Sequence, residues 1–275
     1  MTRFNRLMVG MLASTSVFAL APAVHAATLR VTVDNLAPDN GTALTPAWVG
    51  FHDGGFDLYN RGEPVTEGVE RLAEDGIVDA LNAEFLDSGA GTVQGFITGP
   101  AGNTAGPIDP GETTSFEFSL DANAASSQYF SYAAMILPSN DFFIANGNPF
   151  AHRIFDDAGN FLGADFIVAG SEVLDAGTEF NDEVPENTAF FGQQVPDTGL
   201  PGEGGVELAT GFIPGGHILS SADFFNADFT VDGYNVARFR VELIDDGAAS
   251  VPEPGSVLAL LGVSGFMLRR RFQQA

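Results

Sequence analysis

Residues 129–137 read Tyr129-Phe-Ser-Tyr-Ala-Ala-Met-Ile-Leu137 and are followed directly by Pro138. The run is almost continuously apolar over a length that suits one strand. A proline has no N–H group to donate to a sheet ladder, so it ends the run. The stretch therefore predicts an interior strand that ends at Pro138.

Outward from this run, other short segments alternate between apolar and polar side chains with a period of two. They are residues 28–34, 113–120 and 236–243, and residues 48–52 are a shorter candidate. This period predicts half-buried antiparallel strands. The segments rich in glycine and proline, residues 99–111 and 196–205, are expected to be loops because strand patterns continue on both sides. No repeat of fixed period is present.

One region is predicted to be helical, from Thr66 to about Asp87. Thr66 and Glu67 resemble a helix start, and apolar residues then recur at helical spacing. Gly76 is expected to break the region into two helices. Together these patterns predict an all-β fold, a single antiparallel β-sandwich with a short helical insertion, over residues 27–248.

The first 26 residues have the features of a secretory signal peptide. Arg3 and Arg6 precede an apolar run, and Val24-His-Ala26 places small residues at the positions that a signal peptidase recognises. We therefore expect cleavage after Ala26. A membrane anchor or a buried helix is the alternative.

The last residues, 249–275, have a different targeting pattern. Val251-Pro-Glu-Pro254 precedes an apolar segment, residues 256–268, and then Arg269-Arg-Arg271. A helix of this length spans roughly 20 Å, against ~30 Å of bilayer hydrocarbon, so it is short for a permanent transmembrane helix. The arginines would hold its end on the cytoplasmic side. The segment resembles the PEP-CTERM sorting tail of Gram-negative bacteria. That resemblance implies transient membrane contact, processing by an exosortase near Pro-Glu-Pro, and delivery to the cell surface, outer membrane or extracellular matrix.

The body between these two segments is strongly acidic and contains no cysteine. From Ala27 to Pro254, six arginines against 36 acidic residues, with no lysine, give a net charge of −30. Such a surface repels phosphate backbones, so nucleic-acid binding is excluded, and it attracts cations. Solubility outside the cell or a salty habitat would also explain the charge. The absence of cysteine excludes disulfides, thiol nucleophiles and cysteine zinc sites.

Residues 51–58, Phe51-His-Asp-Gly-Gly-Phe-Asp-Leu58, suggest a catalytic histidine. Asp53 or Asp57 would orient His52 as a general base in an extracellular hydrolase. No Gly-x-Ser-x-Gly elbow accompanies the segment. The alternative is a strand that enters a Gly-Gly turn, with His52 hydrogen-bonded to the backbone.

Two further segments carry candidate metal ligands. Asp141 follows the predicted interior strand, at a loop tip before two phenylalanines. Residues 174–183, Leu174-Asp-Ala-Gly-Thr-Glu-Phe-Asn-Asp-Glu183, form an acidic loop in which Asp175 and Glu179 flank Gly177. Calcium takes six to eight oxygen ligands, and a glycine lets backbone carbonyls turn inward. The spacing does not fit the helix–loop–helix calcium pattern, and a solvated acidic loop is the alternative.

These segments together resemble a spondin domain in content, order and spacing. The resemblance rests on residues 51–58, 70–76, 135–143 and 175–179 and covers roughly residues 28–243. It implies a C2-like β-sandwich with Ca²⁺ held by Asp141, Asp175 and Glu179. The animal domains commonly have aspartate where Glu179 stands, tryptophan where Phe142 stands, and cysteines that are absent here.

The resemblance and the sorting tail together imply a non-enzymatic, calcium-binding surface or matrix protein. Its partners would be an exosortase at the tail and exopolysaccharide or another extracellular component. A hydrolase that uses His52, or a purely structural matrix component, is the alternative.

Overall fold

The structure of the protein is a computed structural model that describes residues 26–100, 106–202 and 204–245. The signal peptide and the sorting tail lie outside the described residues, except for Ala26. The described part has two helices, α1 (Glu67–Asp75) and α2 (Asp79–Ser88), and eleven strands. The strands are β1 (Ala26–Asn35), β2 (Ala43–Leu44), β3 (Ala47–His52), β4 (Val93–Ile97), β5 (Thr113–Asp121), β6 (Tyr129–Leu137), β7 (Phe142–Ala145), β8 (Ala164–Ala169), β9 (Leu174–Asp175), β10 (Glu207–Leu208) and β11 (Asn235–Asp245).

The strands form two antiparallel sheets. The four-stranded sheet has the order β5-β1-β11-β8. The second sheet has the order β10-β9-β7-β6-β3-β4, and β2 also pairs with β6. Strand β1 pairs with β11 over most of its length, from Thr28 opposite Asp245 to Asn35 opposite Ala237. The predicted all-β fold with antiparallel sheets and short helices is confirmed.

The second sheet is covered on both faces, which explains the apolar sequence of β6. One face packs against the four-stranded sheet, and Phe130, Tyr132 and Phe239 belong to that core. The other face packs against α1 and α2, through a core that contains Ala133 and Trp48. Because β6 is buried on both faces, its polar positions are few.

The helical insertion has the two helices that the sequence predicts. Thr66 is the N-cap of α1, and its hydroxyl accepts a hydrogen bond from the Val69 N–H at 3.4 Å. Gly76 ends α1 in the left-handed conformation, with φ of 67°. Glu84 of α2 accepts from the Gly68 N–H at 2.7 Å and so joins the two helices.

No helix within the described residues is long and apolar enough to cross a membrane. The apolar segment of the sorting tail is not among those residues.

Candidate functional site

The register of β7 and β9 brings two of the predicted ligands together. Asp175 lies opposite Phe142 in the ladder, so it neighbours Asp141, the residue just before β7. The Asn181 side chain joins the two carboxylates, because its Nδ2 donates to Asp141 Oδ1 at 2.9 Å and to Asp175 Oδ2 at 3.0 Å. This pair of aspartates bridged by an amide is called the aspartate pair below.

The loop after β9 wraps around Asp141, which is fully buried. Gly177 has a φ of 71°, which favours glycine, and the loop turns back there. The N–H groups of Thr178 and Glu179 then donate to Asp141 Oδ2 at 2.9 and 3.0 Å. Asp175 is half-buried and accepts from the Gly177 N–H at 2.8 Å. The backbone therefore fixes both carboxylates before any ligand is bound.

Burial dominates the electrostatics of the aspartate pair. Loss of solvation raises the pKa of Asp141, against the opposing effect of its hydrogen bonds from Glu179, Asn181 and Thr178. The pKa of Asp175 is raised to about 6, first by burial and then by the negative charge of Asp141. Two carboxylates this close cannot both be charged without cost, and a cation between them would remove that cost.

Glu179, the third predicted ligand, joins the pair through its backbone only. Its Oε1 accepts from the Gly199 N–H at 2.9 Å, and its Oε2 is buried without a hydrogen-bond partner among the described residues. Glu74 of α1 has a second buried carboxylate oxygen, Oε2, without a hydrogen bond to the described part of the chain. Arg71 Nη1 lies 3.6 Å from it.

The charge of Glu74 acts on Glu179. Burial and then the charge of Glu74 raise the pKa of Glu179 to about 8. Burial raises the pKa of Glu74 to about 7; a hydrogen bond from the Thr178 side chain opposes the shift, and the charges of Glu70 and Asp75 add to it. An unpartnered buried carboxylate oxygen is costly in its charged form. The folded protein therefore favours the protonated form of Glu179 near neutral pH, and the pKa of Glu74 is shifted in the same direction.

Sequence reasoning missed Glu74 and Asn181. Glu74 follows Leu72 and Ala73 on the buried face of α1. An acidic residue on the apolar face of a predicted helix is the sequence feature that could have identified it. Asn181 lies within the acidic loop, but only the β7–β9 register shows that it bridges two aspartates. As the side chains stand, no three His, Cys, Asp or Glu residues in the described ranges are grouped to hold a metal ion.

His52, the predicted general base, lies in a closed hydrogen-bond network. Its Nδ1 accepts from the Gly54 N–H at 3.0 Å, so its proton lies on Nε2, which donates to Ser131 Oγ at 2.8 Å. Asn146 Nδ2 also donates to Ser131 Oγ, at 3.0 Å. Burial lowers the pKa of His52 to about 4, against the opposing charge of Asp53. His52 and Ser131 are both almost fully buried, so neither side chain is exposed to solvent.

We expect Glu179→Gln to make the calcium-free protein more stable at high pH. The unfolded chain releases the Glu179 proton near pH 4.5 and the folded protein near pH 8. The folded state therefore binds more protons in this window, and its stability falls as pH rises through it. The variant lacks this loss, so its melting temperature in chelator should exceed that of the wild type at pH 9. The two should be similar at pH 5. A higher wild-type melting temperature at pH 9 would contradict the buried charge.

The sequence of the C-terminal segment matches a known sorting signal. Residues 250–271 match the PEP-CTERM protein-sorting motif. This PEP-CTERM match confirms the predicted sorting tail. It indicates an exported protein that is processed by an exosortase at its C-terminus and delivered to the cell surface or beyond. No curated protein matches the chain significantly.

Proposed function

We propose that this exported protein is a non-enzymatic, calcium-binding surface or matrix protein that associates with exopolysaccharide or another extracellular component. The observation that carries the calcium site is the aspartate pair, held by backbone N–H groups near two buried oxygens, Oε2 of Glu74 and Oε2 of Glu179, that lack hydrogen bonds to the described residues. The spondin resemblance of the sequence supports the same site and the adhesive function. The sorting tail supports an extracellular setting.

The donor set suits Ca²⁺ better than other common metals. All candidate side chains supply oxygen, from the carboxylates of Asp141, Asp175 and Glu179 and the hydroxyl of Thr178. Hard cations such as Ca²⁺ prefer oxygen ligands, whereas zinc and copper sites use histidine or cysteine. Calcium bound here would neutralise carboxylates that otherwise repel each other.

Two side chains would change partners when the ion binds. Asn181 donates to both aspartates, and its amide would have to turn so that it no longer occupies the space between them. The Glu179 carboxylate would have to leave the Gly199 N–H to join the pair.

The surroundings of His52 support a non-enzymatic protein. A general base needs a free acceptor nitrogen within reach of a substrate proton. Nδ1 already accepts from the Gly54 N–H, and Nε2 carries the proton. Asp53 is exposed, and its Oδ1 accepts from the Gly55 N–H at 2.8 Å, so it does not orient the imidazole.

Isothermal titration of CaCl₂ into the chelated mature protein at pH 8 tests the site. We expect one calcium per chain with a Kd of about 10⁻⁴–10⁻³ M, the range of extracellular calcium modules. Asp175→Asn should abolish binding because it removes one ligand charge. Asp232→Asn is the matched control, since Asp232 is an exposed acid in a turn far along the chain from the site. Equal titrations for the wild type and Asp175→Asn would refute the site.

A further inference from the structure

A groove opens where the edges of the two sheets meet. Its volume is about 450 Å³, and it lies beside Phe166 and Ile167 of the edge strand β8. The end of β7 and strand β10 also contribute lining residues, Ala145 and Leu208. This volume is within the ~300–1,000 Å³ of small-molecule sites. We call it the edge groove; its other lining residues used below are Tyr59, Arg61, Tyr132, His152 and Glu172.

The inner wall of the edge groove is aromatic. The His152 ring stacks on Phe166 with ring centroids 3.8 Å apart and planes 10° from parallel. Tyr132 packs against Phe166 at 5.3 Å and is itself almost fully buried. His152 is half-buried, and burial lowers its pKa to about 4, so the ring is neutral near pH 7. The wall is therefore a rigid, uncharged platform of packed rings.

Arg61 stands out among the arginines of the described residues. The other five, Arg30, Arg71, Arg153, Arg238 and Arg240, each have a carboxylate oxygen within 4.0 Å. Arg61 forms no ion pair with the described residues although the protein is strongly acidic; its one side-chain partner there is the Tyr59 hydroxyl, which leaves most of its five N–H donors free. An exposed guanidinium at the mouth of a groove is a donor ready for a ligand.

Acceptors lie in the same groove. Glu172 Oε2 accepts from the Ala169 N–H at 2.8 Å, and no bond to its other oxygen occurs within the described ranges. The ring nitrogens of His152 make no hydrogen bond to the described part of the chain, and a neutral imidazole has one donor and one acceptor. The groove thus presents a donor-only guanidinium, an acceptor-only carboxylate and an imidazole with one donor and one acceptor, around an aromatic wall.

Sugar rings fit this combination. Each hydroxyl is both a donor and an acceptor, so one sugar can bond to a guanidinium and a carboxylate at once. The C–H bonds of a pyranose ring are weakly positive and complement the negative face of an aromatic ring. The net charge of −30 disfavours an acidic polymer. We propose that the edge groove binds a neutral hexose unit of a polysaccharide, which names the ligand class of the adhesive function proposed above and rests on it.

Titration calorimetry with neutral hexose oligomers tests this assignment. The probes are cellohexaose, mannohexaose and maltohexaose, with polygalacturonate as the acidic comparison. We expect at least one neutral oligomer to bind the mature protein. Arg61→Ala should weaken that binding about tenfold, as expected for a lost bond to a charged donor. His152→Gln should weaken it too, because it removes the stacked ring. Arg30→Ala is the matched control, since Arg30 is an exposed arginine on β1 outside the groove, and should not change the affinity.

The salt dependence of binding and the choice of oligomer both test the edge groove. Binding of a neutral oligomer should change less than twofold between 0.1 and 0.5 M NaCl, because no net charge is paired. Binding of polygalacturonate alone, no binding of any neutral oligomer, or an unchanged affinity in Arg61→Ala would overturn the proposal. Melting curves of each variant show whether it is folded. Titration in calcium and in chelator separates the two proposals: sugar binding without calcium binding refutes the metal site alone, and the reverse refutes the groove alone.

Discussion

Saturating calcium is expected to raise the melting temperature of the chelated mature chain by about 5–10 °C at pH 8. A ligand at 100 times its Kd stabilises the folded state by about 2.7 kcal/mol. In a domain of this size each kcal/mol shifts the melting temperature by about 2–4 °C. The physical source is the relief of repulsion between the two carboxylates of the aspartate pair. Binding of the Glu179 carboxylate to the ion would also remove the cost of burying its charge. Thermal melts followed by circular dichroism, with calcium and with chelator, measure the shift.

The same melts at pH 5.5 provide an internal check. Protons compete with calcium for carboxylates whose pKa values are raised, so the shift should be smaller there. Asp141→Asn should remove the calcium response at both pH values, while Asp232→Asn should retain it. A response that is the same in the wild type and Asp141→Asn would place the calcium elsewhere.

Trp48→Ala is expected to cost about 3–5 kcal/mol of unfolding free energy, as for other buried aromatic residues. Trp48 is fully buried between the second sheet and the helical insertion. Its ring lies 5.5 Å from Phe85, and its Nε1 donates to Asn82 Oδ1 at 3.0 Å and to Gln94 Oε1 at 3.1 Å. Alanine leaves a cavity and two polar groups without their donor. Urea unfolding followed by far-UV circular dichroism gives the difference.

Phe116→Ala is the matched control for this substitution. Phe116 lies on β5 with 54% of its surface exposed, so the loss should be at most about 1 kcal/mol. Trp48→Phe should lie between the two, because it keeps an aromatic ring but loses both hydrogen bonds. A loss below 1 kcal/mol in Trp48→Ala would mean that the helical insertion is not anchored through this side chain.

Local sequence patterns predicted five of the strands and both helices, because the burial of each segment shows in its own residues. They did not predict the shorter strands β2, β4, β7, β8, β9 and β10. The apolar run of β6 identified an interior strand, and Gly76 separated the two helices. The patterns did not predict how the elements pair. Residues 28–34 and 236–243 were each recognised as strands, but their pairing depends on contacts that no local window contains.

The sequence predicted which residue types form the candidate site, but not which of these residues contact each other. The acidic loop and Asp141 were recognised because oxygen ligands cluster there in the sequence. The bridge through Asn181 could not be predicted without the register of β7 and β9. Glu74 acts on Glu179 although the two residues are 105 positions apart in the sequence. The sequence suggested Asp53 as the hydrogen-bond partner of the His52 ring. In the structure the side-chain partner of that ring is Ser131, 79 residues away.

The pairing of β1 with β11 also determines when the protein can fold. Strand β1 lies between β5 and β11, so its ladder on one side stays open until residues 235–245 are present. Contacts between residues so distant in sequence slow folding, since a long loop must close before they form. A chain that emerges from the membrane with its N-terminus first can therefore complete the four-stranded sheet only after residues 235–245 have crossed. Until then β1 has a partner strand on only one of its two hydrogen-bonding edges.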